Sequence, residues 1–259
     1  MPLHKILVAN RGEIAIRIER AAAALGMQSV AIFSEDDAAS LHVRRADDAR
    51  ALAGSGARAY LDGSQIVRIA RDAGCDAVHP GYGFLSENAG FARECAAAGL
   101  VFVGPAVETL ELFGDKARAR EFVRAVSAHT LAGTFAATTL EEARRFANDE
   151  RAAGRAGIVI KALAGGGGRG MRVVRDPADV DEAYARCTSE ARAAFGNDAV
   201  YVERYVAHAR HVEVQVAGDG SGVVLFGDRE CSLQRRHQKL VEIAPAPALA
   251  PSLRARIHA

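Results

Sequence analysis

The run Ile6-Leu7-Val8-Ala9-Asn10-Arg11-Gly12-Glu13 decides the reading of the first half of the chain. Its apolar opening predicts a buried strand, and Asn10 to Glu13 predict a turn. Ile14, Ile18, Ala21, Ala22 and Leu25 then fall on one helical face, and the helix stops at Gly26. Working outward, Ser29 to Phe33 reads as a second strand, Ser64 to Ala73 as a helix and Ala77-Val78 as a short strand end. Phe91 to Ala98 reads as a helix and Leu100 to Val103 as another strand. Strands alternating with helices predict the α/β class, with a doubly wound parallel sheet over about the first 110 residues. Sites in such sheets sit at the carboxyl ends of strands. That singles out two strand-end turns, Asn10 to Glu13 and His79 to Asn88 (HPGYGFLSEN).

The pattern changes after Gly114. Thr139 with Glu142 forms a capping box ahead of a helix reaching about Asp149, and Ile158-Val159-Ile160 is a strand leading into Lys161. Glycines follow at 165–168 and 170, then a strand at Met171 to Val174. Asp176-Pro177 starts a helix with Val180, Tyr184, Cys187, Ala191 and Phe195 inward, closed by Gly196. Val200 to Val206 is a strand. His211 to Val216 alternates valines with His211, Glu213 and Gln215, and turns at Asp219-Gly220-Ser221-Gly222 into Val223 to Phe226. A helix begins at Leu253.

Composition narrows the function classes. The 259 residues are 49% hydrophobic and 25% charged, the profile of an ordinary globular protein. Lys plus Arg (33) nearly cancels Asp plus Glu (32), and with no Trp and 6% aromatics there is neither a polybasic surface nor a base-stacking platform, so nucleic acid is not the expected partner. No apolar run reaches the ~18 residues needed to span a bilayer, so no membrane partner is expected either. The first residues lack the apolar core of a signal segment. Cys75, Cys95, Cys187 and Cys231 form no metal or disulfide spacing and read as reduced thiols. A cytoplasmic enzyme or binding protein is the expectation.

Gly165, Gly167 and Gly170 satisfy the dinucleotide pattern GxGxxG, but a dinucleotide loop opens a helix and this one precedes a strand. A nicotinamide-dependent oxidoreductase is therefore disfavoured. No Lys-Ser or Lys-Thr follows the glycines, so the P-loop pattern fails too. Strand, glycine loop, strand is instead a flap whose bare amides can close over phosphates, with Lys161 beside it as a point charge. The competing reading is a flexible hairpin tip.

Six stretches together resemble one family: KILVANRGEIAIR (Lys5 to Arg17), HPGYGFLSEN, Gly114-Asp115-Lys116, KALAGGGGRGMRVV (Lys161 to Val174), RHVEVQV (Arg210 to Val216) and ECSLQRRHQKLVEIAPAP (Glu230 to Pro247). In this order they are similar to the biotin carboxylase component of biotin-dependent acyl-CoA and pyruvate-type carboxylases, within the ATP-grasp superfamily. The resemblance implies a Rossmann-like biotin carboxylase N-terminal domain at residues 1–112, followed by an ATP-grasp domain at 113–259 with a lid at about 131–204. It implies a ligase that uses ATP and bicarbonate to make carboxyphosphate and carboxylates biotin tethered to a carrier protein. The implied partners are the carrier protein or domain, a carboxyltransferase and a second copy of the chain.

By the family pattern, Lys116 and Lys161 would contact the nucleotide phosphates and Gly167 and Gly168 would close over them. Glu203, Arg204, Tyr205 and Val206 would form the strand and hinge that reads the adenine, while His211, Gln234 and His237 would line the ribose and phosphate region. Lys239 would hold bicarbonate as the catalytic lysine, and Tyr82 would lie against biotin. On local pattern alone Lys116 and Lys161 stand equally well as solvated lysines, Glu203 as an exposed carboxylate, and His211 on a water-facing strand. Arg235 to Lys239 stands as a charge run on a loop. Tyr82 alone would be a packed ring, and Cys231 is a structural thiol, since carboxylation through ATP needs none. The family's Mg2+-binding glutamates, its catalytic arginine and base, and its biotin-pairing arginine are expected beyond residue 259. Residues 128–137 also depart from the family's usual proline and glycine turn. The expected function is therefore a biotin carboxylase component, incomplete as this chain. The rival is a non-catalytic nucleotide-binding or interaction module derived from a truncated one.

Overall fold

β1 (Lys5–Val8) pairs in parallel with β2 (Gln28–Phe33), which pairs with β3 (Asp48–Ala51); on its other side it pairs with β4 (Ala77–His79), which pairs with β5 (Val101–Phe102). The order β3-β2-β1-β4-β5 puts β1 at the centre of a five-stranded sheet. Leu7 and Val8 are fully buried, and cover on both faces explains why the strand reads as an unbroken apolar run. The computed structural model describes residues 2–126, 130–134, 136–163, 170–235 and 238–259, without the side chains of 116 and 117. Two compact units make up the chain, Met1–Gly114 and Asp115–Ala259.

In the first unit α1 (Gly12–Ala24), α2 (Leu41–Arg45), α3 (Gly63–Asp72), α4 (Ala89–Ala97) and α5 (Val107–Gly114) accompany the sheet. Asp62 and Asn88 cap α3 and α4 by accepting from the amides of Gln65 and Phe91. The core gathers Leu7, Ile32, Tyr60, Ile66, Val78 and Phe91. The predicted strands and helices are present. α2, β3 and α5 are additional, and β3 is a four-residue edge strand, Asp48-Ala49-Arg50-Ala51, whose only apolar residues are alanines.

The expected face of α1 is present: Ile14, Ile18, Ala21, Ala22 and Leu25 all line one apolar cavity of about 590 Å³. Ala15, Ile18, Glu19 and Ala22 are the buried residues of the helix, and Leu25 just after its end is 76% exposed.

The second unit contains α6 (Lys116–Ala125), α7 (Leu140–Ala152), β6 (Ile158–Ala162), β7 (Met171–Val174), α8 (Val180–Phe195) and β8 (Val200–Arg204). β6 pairs antiparallel with both β7 and β8. The capping box is present: Glu142 donates its amide to Thr139 Oγ1 and accepts from the Thr139 amide at 2.8 Å. Ile158, Ile160, Val174, Val180, Cys187 and Val202 form the core. Lys161 lies opposite Met171 in the register, and the residues after Gly170 form a strand and not a helix; residues 164–169 lie outside the described residues.

A second antiparallel sheet, ordered β11-β10-β9, contains β9 (Val212–Gly218), β10 (Val223–Arg235) and β11 (Gln238–Ile243). β10 is longer than the Val223 to Phe226 expected, and of the charged run Arg235, Gln238 and Lys239 lie in paired strands and not on a loop, while 236–237 lie outside the described residues. α9 (Pro251–His258) is tied back through Asp228, which accepts from Arg254 Nε at 2.7 Å and from the Ala246 amide at 2.7 Å. Among the described residues the four cysteines are free and buried, and no helix is long and apolar enough to cross a membrane.

Glu19 is the discordant residue of the first unit. It is 4% exposed, and neither carboxylate oxygen has a hydrogen-bond partner among the described residues. Burial pushes its carboxyl from 4.5 to about 7, against the pull of Arg45 and with a small push from Asp47. The unfolded chain releases this proton first, so the carboxyl lowers stability progressively from about pH 4.5 to 7 and most above pH 7. Glu19→Leu is expected to raise the melting temperature, with a pH-dependent gain of up to about 3 kcal/mol above pH 7 that fades towards pH 4.5. Melting curves of both forms across that range check it; a gain independent of pH would contradict the burial of a charged group.

Candidate functional site

Glu203, a buried carboxylate, is the centre of a charge group in the second unit that includes the predicted residue Lys161. β8 is flanked on one side by β6 and on the other by residues 132–134 and 138. The Arg204 amide donates to Ala132 O at 2.8 Å, Thr134 donates to Val202 O at 2.9 Å, and Thr138 donates to Val200 O at 2.8 Å. Gly133 bridges to Glu203, and a Cβ on it would lie 2.4 Å from the Val202 oxygen, so only glycine permits this approach. Alternation sends Val200 and Val202 to the core and Glu203 to the opposite face. There Glu203, 7% exposed, accepts from Lys161 Nζ at 2.5 Å and from Arg120 of α6. Arg120 also donates to Leu131 O at 2.8 Å and lies 5.8 Å from the Tyr201 ring centroid. The exposed-carboxylate reading of Glu203 and the solvated reading of Lys161 are both replaced by a buried ion cluster.

The rest of the predicted adenine stretch points elsewhere. Arg204 forms a bidentate pair with buried Glu150, at 2.6 and 2.9 Å, and this pair holds the Glu150 carboxyl below its usual range. Tyr205 sits under Arg175, whose guanidinium is 5.6 Å from its ring centroid, and Val206 is exposed. Any contact from 204 to a ligand on the Glu203 face would therefore come from the backbone.

A second group lies on the β9-β10-β11 sheet. Gln234 Nε2 is 2.9 Å from His211 Nδ1, and Gln234 is opposite Lys239 in the register. Lys239 and Arg229 both donate to Glu213, and Arg229 also pairs with Glu242 at 2.7 Å. Lys239 holds the Glu213 carboxyl below its usual range, and Glu213 in turn raises Lys239. The fully buried Cys231 thiol is pushed up by burial, which fits a structural thiol and not a nucleophile. Glu213, Cys231 and Glu242 bring one ligand atom each within 4.8 Å of one another. They do not fit Mg2+: that ion takes oxygen ligands in an octahedron, and here two cations already neutralise the carboxylates. Gly167, Gly168 and His237, together with the side chain of Lys116, lie outside the described residues.

Tyr82 belongs to the first unit, at the point where strand order reverses between β1 and β4. Fully buried Asn10 ties the two strand-end turns together. Its Nδ2 donates to Pro80 O at 2.7 Å and to Tyr82 O at 3.0 Å, and its Oδ1 accepts from the Arg11 amide at 2.9 Å. Gly81 has φ +65°, and a Cβ there would meet Asn10 Nδ2 and Ile14 Cγ2, each at 2.7 Å. The Tyr82 ring is 66% exposed and its hydroxyl donates to Glu13 at 2.7 Å, so it is not a packed ring. The predicted site residues thus fall into three groups: Lys161 with Glu203; His211, Gln234 and Lys239; and Tyr82. Arg120 and Glu213 were not singled out in the sequence, and Asn10 only as part of a strand-end turn. The available signal for Arg120 was its position four residues after Lys116, on the same side of a helix.

Residues 2–110 match the biotin carboxylase N-terminal domain, and residues 115–259 match the ATP-binding domain of the carbamoyl-phosphate synthase L chain. The chain is 50% identical over 260 residues to pyruvate carboxylase of Bacillus subtilis (strain 168), covering 98% of this chain and 22% of that protein. Human mitochondrial pyruvate carboxylase is 49% identical over 261 residues, again with 22% of its length covered. The chain thus spans about a fifth of these curated relatives. Among solved structures, the biotin carboxylase domain dimer of Hydrogenobacter thermophilus 2-oxoglutarate carboxylase, with MgADP, ADP and bicarbonate, superposes with a TM-score of 0.93 at 42% identity. It is matched over 99% of this chain and 56% of that one. The Campylobacter jejuni biotin carboxylase complex with β,γ-ATP gives 0.94 at 40% identity, over 99% and 57%.

Asn10→Ala removes two donated bonds and one accepted bond at a fully buried position. It is expected to cost about 2 to 4 kcal/mol, because the Pro80 and Tyr82 carbonyls lose their partner. Denaturant unfolding checks the value. A cost within about 0.5 kcal/mol would mean that the two turns hold without the clamp.

Proposed function

The chain belongs to the biotin carboxylase family, and from that premise we propose that it is the ATP-binding portion of an enzyme that carboxylates carrier-bound biotin at the expense of ATP and bicarbonate. A bicarbonate oxygen attacks the γ-phosphorus, the bond to the β,γ-bridging oxygen breaks, and ADP leaves. The carboxyphosphate then delivers its carboxyl carbon to biotin N1, which loses its proton as phosphate departs. Bicarbonate is a poor electrophile, and phosphorylation supplies the leaving group it lacks. Cations and backbone amides around the phosphoryl oxygens stabilise the developing charge.

In this reading residues 1–112 form the N-terminal domain and 113–259 the ATP-grasp portion, with 131–204 as its lid. Lys116, Lys161, Gly167 and Gly168 hold the phosphates; Glu203 to Val206 read the adenine; His211, Gln234 and His237 line the ribose and phosphate region. Lys239 holds bicarbonate, and Tyr82, exposed on a rigid turn, packs against biotin. The carrier, a carboxyltransferase, a second copy of the chain and a cytoplasmic location complete the proposal. The solved Hydrogenobacter relative, a dimer with MgADP and bicarbonate, supports it. The observation that carries it is the pairing of Lys161, at the end of β6 and the start of the glycine segment, with a buried carboxylate on the neighbouring strand.

Lys161→Gln removes one charge-assisted phosphate contact and is expected to weaken ATP binding by roughly tenfold to a hundredfold. Adenosine, which carries no phosphate, is expected to bind both forms alike. Calorimetric titration checks both. Equal ATP affinity in the two forms would remove Lys161 from the phosphate site.

A further inference from the structure

Among the described residues Glu203 has two cationic partners, where charge neutrality needs one. Side-chain exposure is 10% for Glu203, 12% for Arg120 and 30% for Lys161. The two cations are held differently. Among the described residues the Lys161 ammonium hydrogen-bonds to Glu203 alone, on a flexible four-carbon stem at a strand end. The Arg120 guanidinium is anchored by Glu203 Oε1, the Leu131 carbonyl at 2.8 Å and the Tyr201 ring face. A planar guanidinium suits such a forked, stacked position, and an ammonium does not.

We infer that Arg120 is a positioning residue that keeps the Glu203 carboxylate paired while Lys161 transfers to the nucleotide phosphates. This rests on the nucleotide-site reading given above. A buried carboxylate that loses its sole partner is left as an uncompensated charge, which is strongly unfavourable. With Lys161 as sole partner, phosphate binding would have to carry that penalty. With Arg120 in place, Lys161 leaves and Glu203 remains charged, oriented and able to accept a hydrogen bond from a base amino group. Arg120 also holds Leu131, next to the Ala132–Thr134 segment that lines the outer edge of β8, so the same guanidinium fixes the carboxylate and its surroundings.

The test compares ATP with adenosine on the purified protein, for wild type, Arg120→Met and Arg120→Lys. In Arg120→Met, Lys161 stays on Glu203. ATP affinity is expected to fall by about tenfold or more while adenosine changes by less than about twofold, and Arg120→Lys is expected to recover part of the loss. A purely structural role would weaken both ligands together, so an unchanged ratio of ATP to adenosine affinity in Arg120→Met would overturn the assignment. Should that variant fail to fold, the double exchange Arg120→Met with Glu203→Gln carries the same test, because it removes the buried charge along with its partner. Freed from any carboxylate, Lys161 is expected to restore the wild-type ratio, and a depressed ratio in the double variant would overturn the assignment. Wild type that binds adenosine and ATP equally, or binds neither, would overturn the nucleotide-site reading and this inference with it. Clear ATP preference in wild type with no change in the variants would overturn the role of Arg120 alone.

Discussion

A carboxylate removed from water must be paired, and Glu203 on β8 is paired twice. Much of the second unit is arranged around that requirement. β6 delivers Lys161, α6 delivers Arg120, and Gly133 lets residues 132–134 close against β8 where any side chain would collide with Val202 O. The apolar side of β8 is buried by α7 and α8 through Val200 and Val202. Packing and electrostatics therefore act on the same strand from opposite faces. The core fixes where β8 lies, and the ion cluster fixes what its other face presents.

The first unit solves a different problem. A parallel sheet leaves its strand ends at one edge, and reversal of strand order between β1 and β4 opens a gap there. Asn10 closes that gap with its side chain, serving the backbone of both turns at once. Gly81 at positive φ allows the close approach, and the result is a rigid turn with Tyr82 projecting from it. Rigidity below an exposed ring is what a surface needs if it is to meet a flat ligand without first ordering itself.

What could be read from the sequence followed from how local the governing physics was. The β1 run, the Thr139 to Glu142 capping box and the Asp176-Pro177 helix start depend on neighbours a few residues away, and each is present. The helix rejection for the glycine segment rested on Met171 to Val174, which is a strand. By contrast, β3 is a four-residue edge strand whose only apolar residues are alanines, and β10 runs past its apolar start because β9 and β11 both pair with it. In the site, Lys161 and Glu203 were singled out, but their contact spans 42 residues and cannot be seen locally. Arg120 lies 83 residues from Glu203 in a charge-rich helix that resembles any solvated one.

On the proposed role of Arg120, Glu203 holds two cations so that one of them can move. A crystal structure of the protein with a non-hydrolysable ATP analogue tests this. Lys161 Nζ is expected on phosphate oxygens and withdrawn from Glu203, with the Arg120 guanidinium still on the Glu203 carboxylate. Lys161 remaining on Glu203 while the phosphates bind elsewhere, or Arg120 leaving the carboxylate in its place, would contradict it.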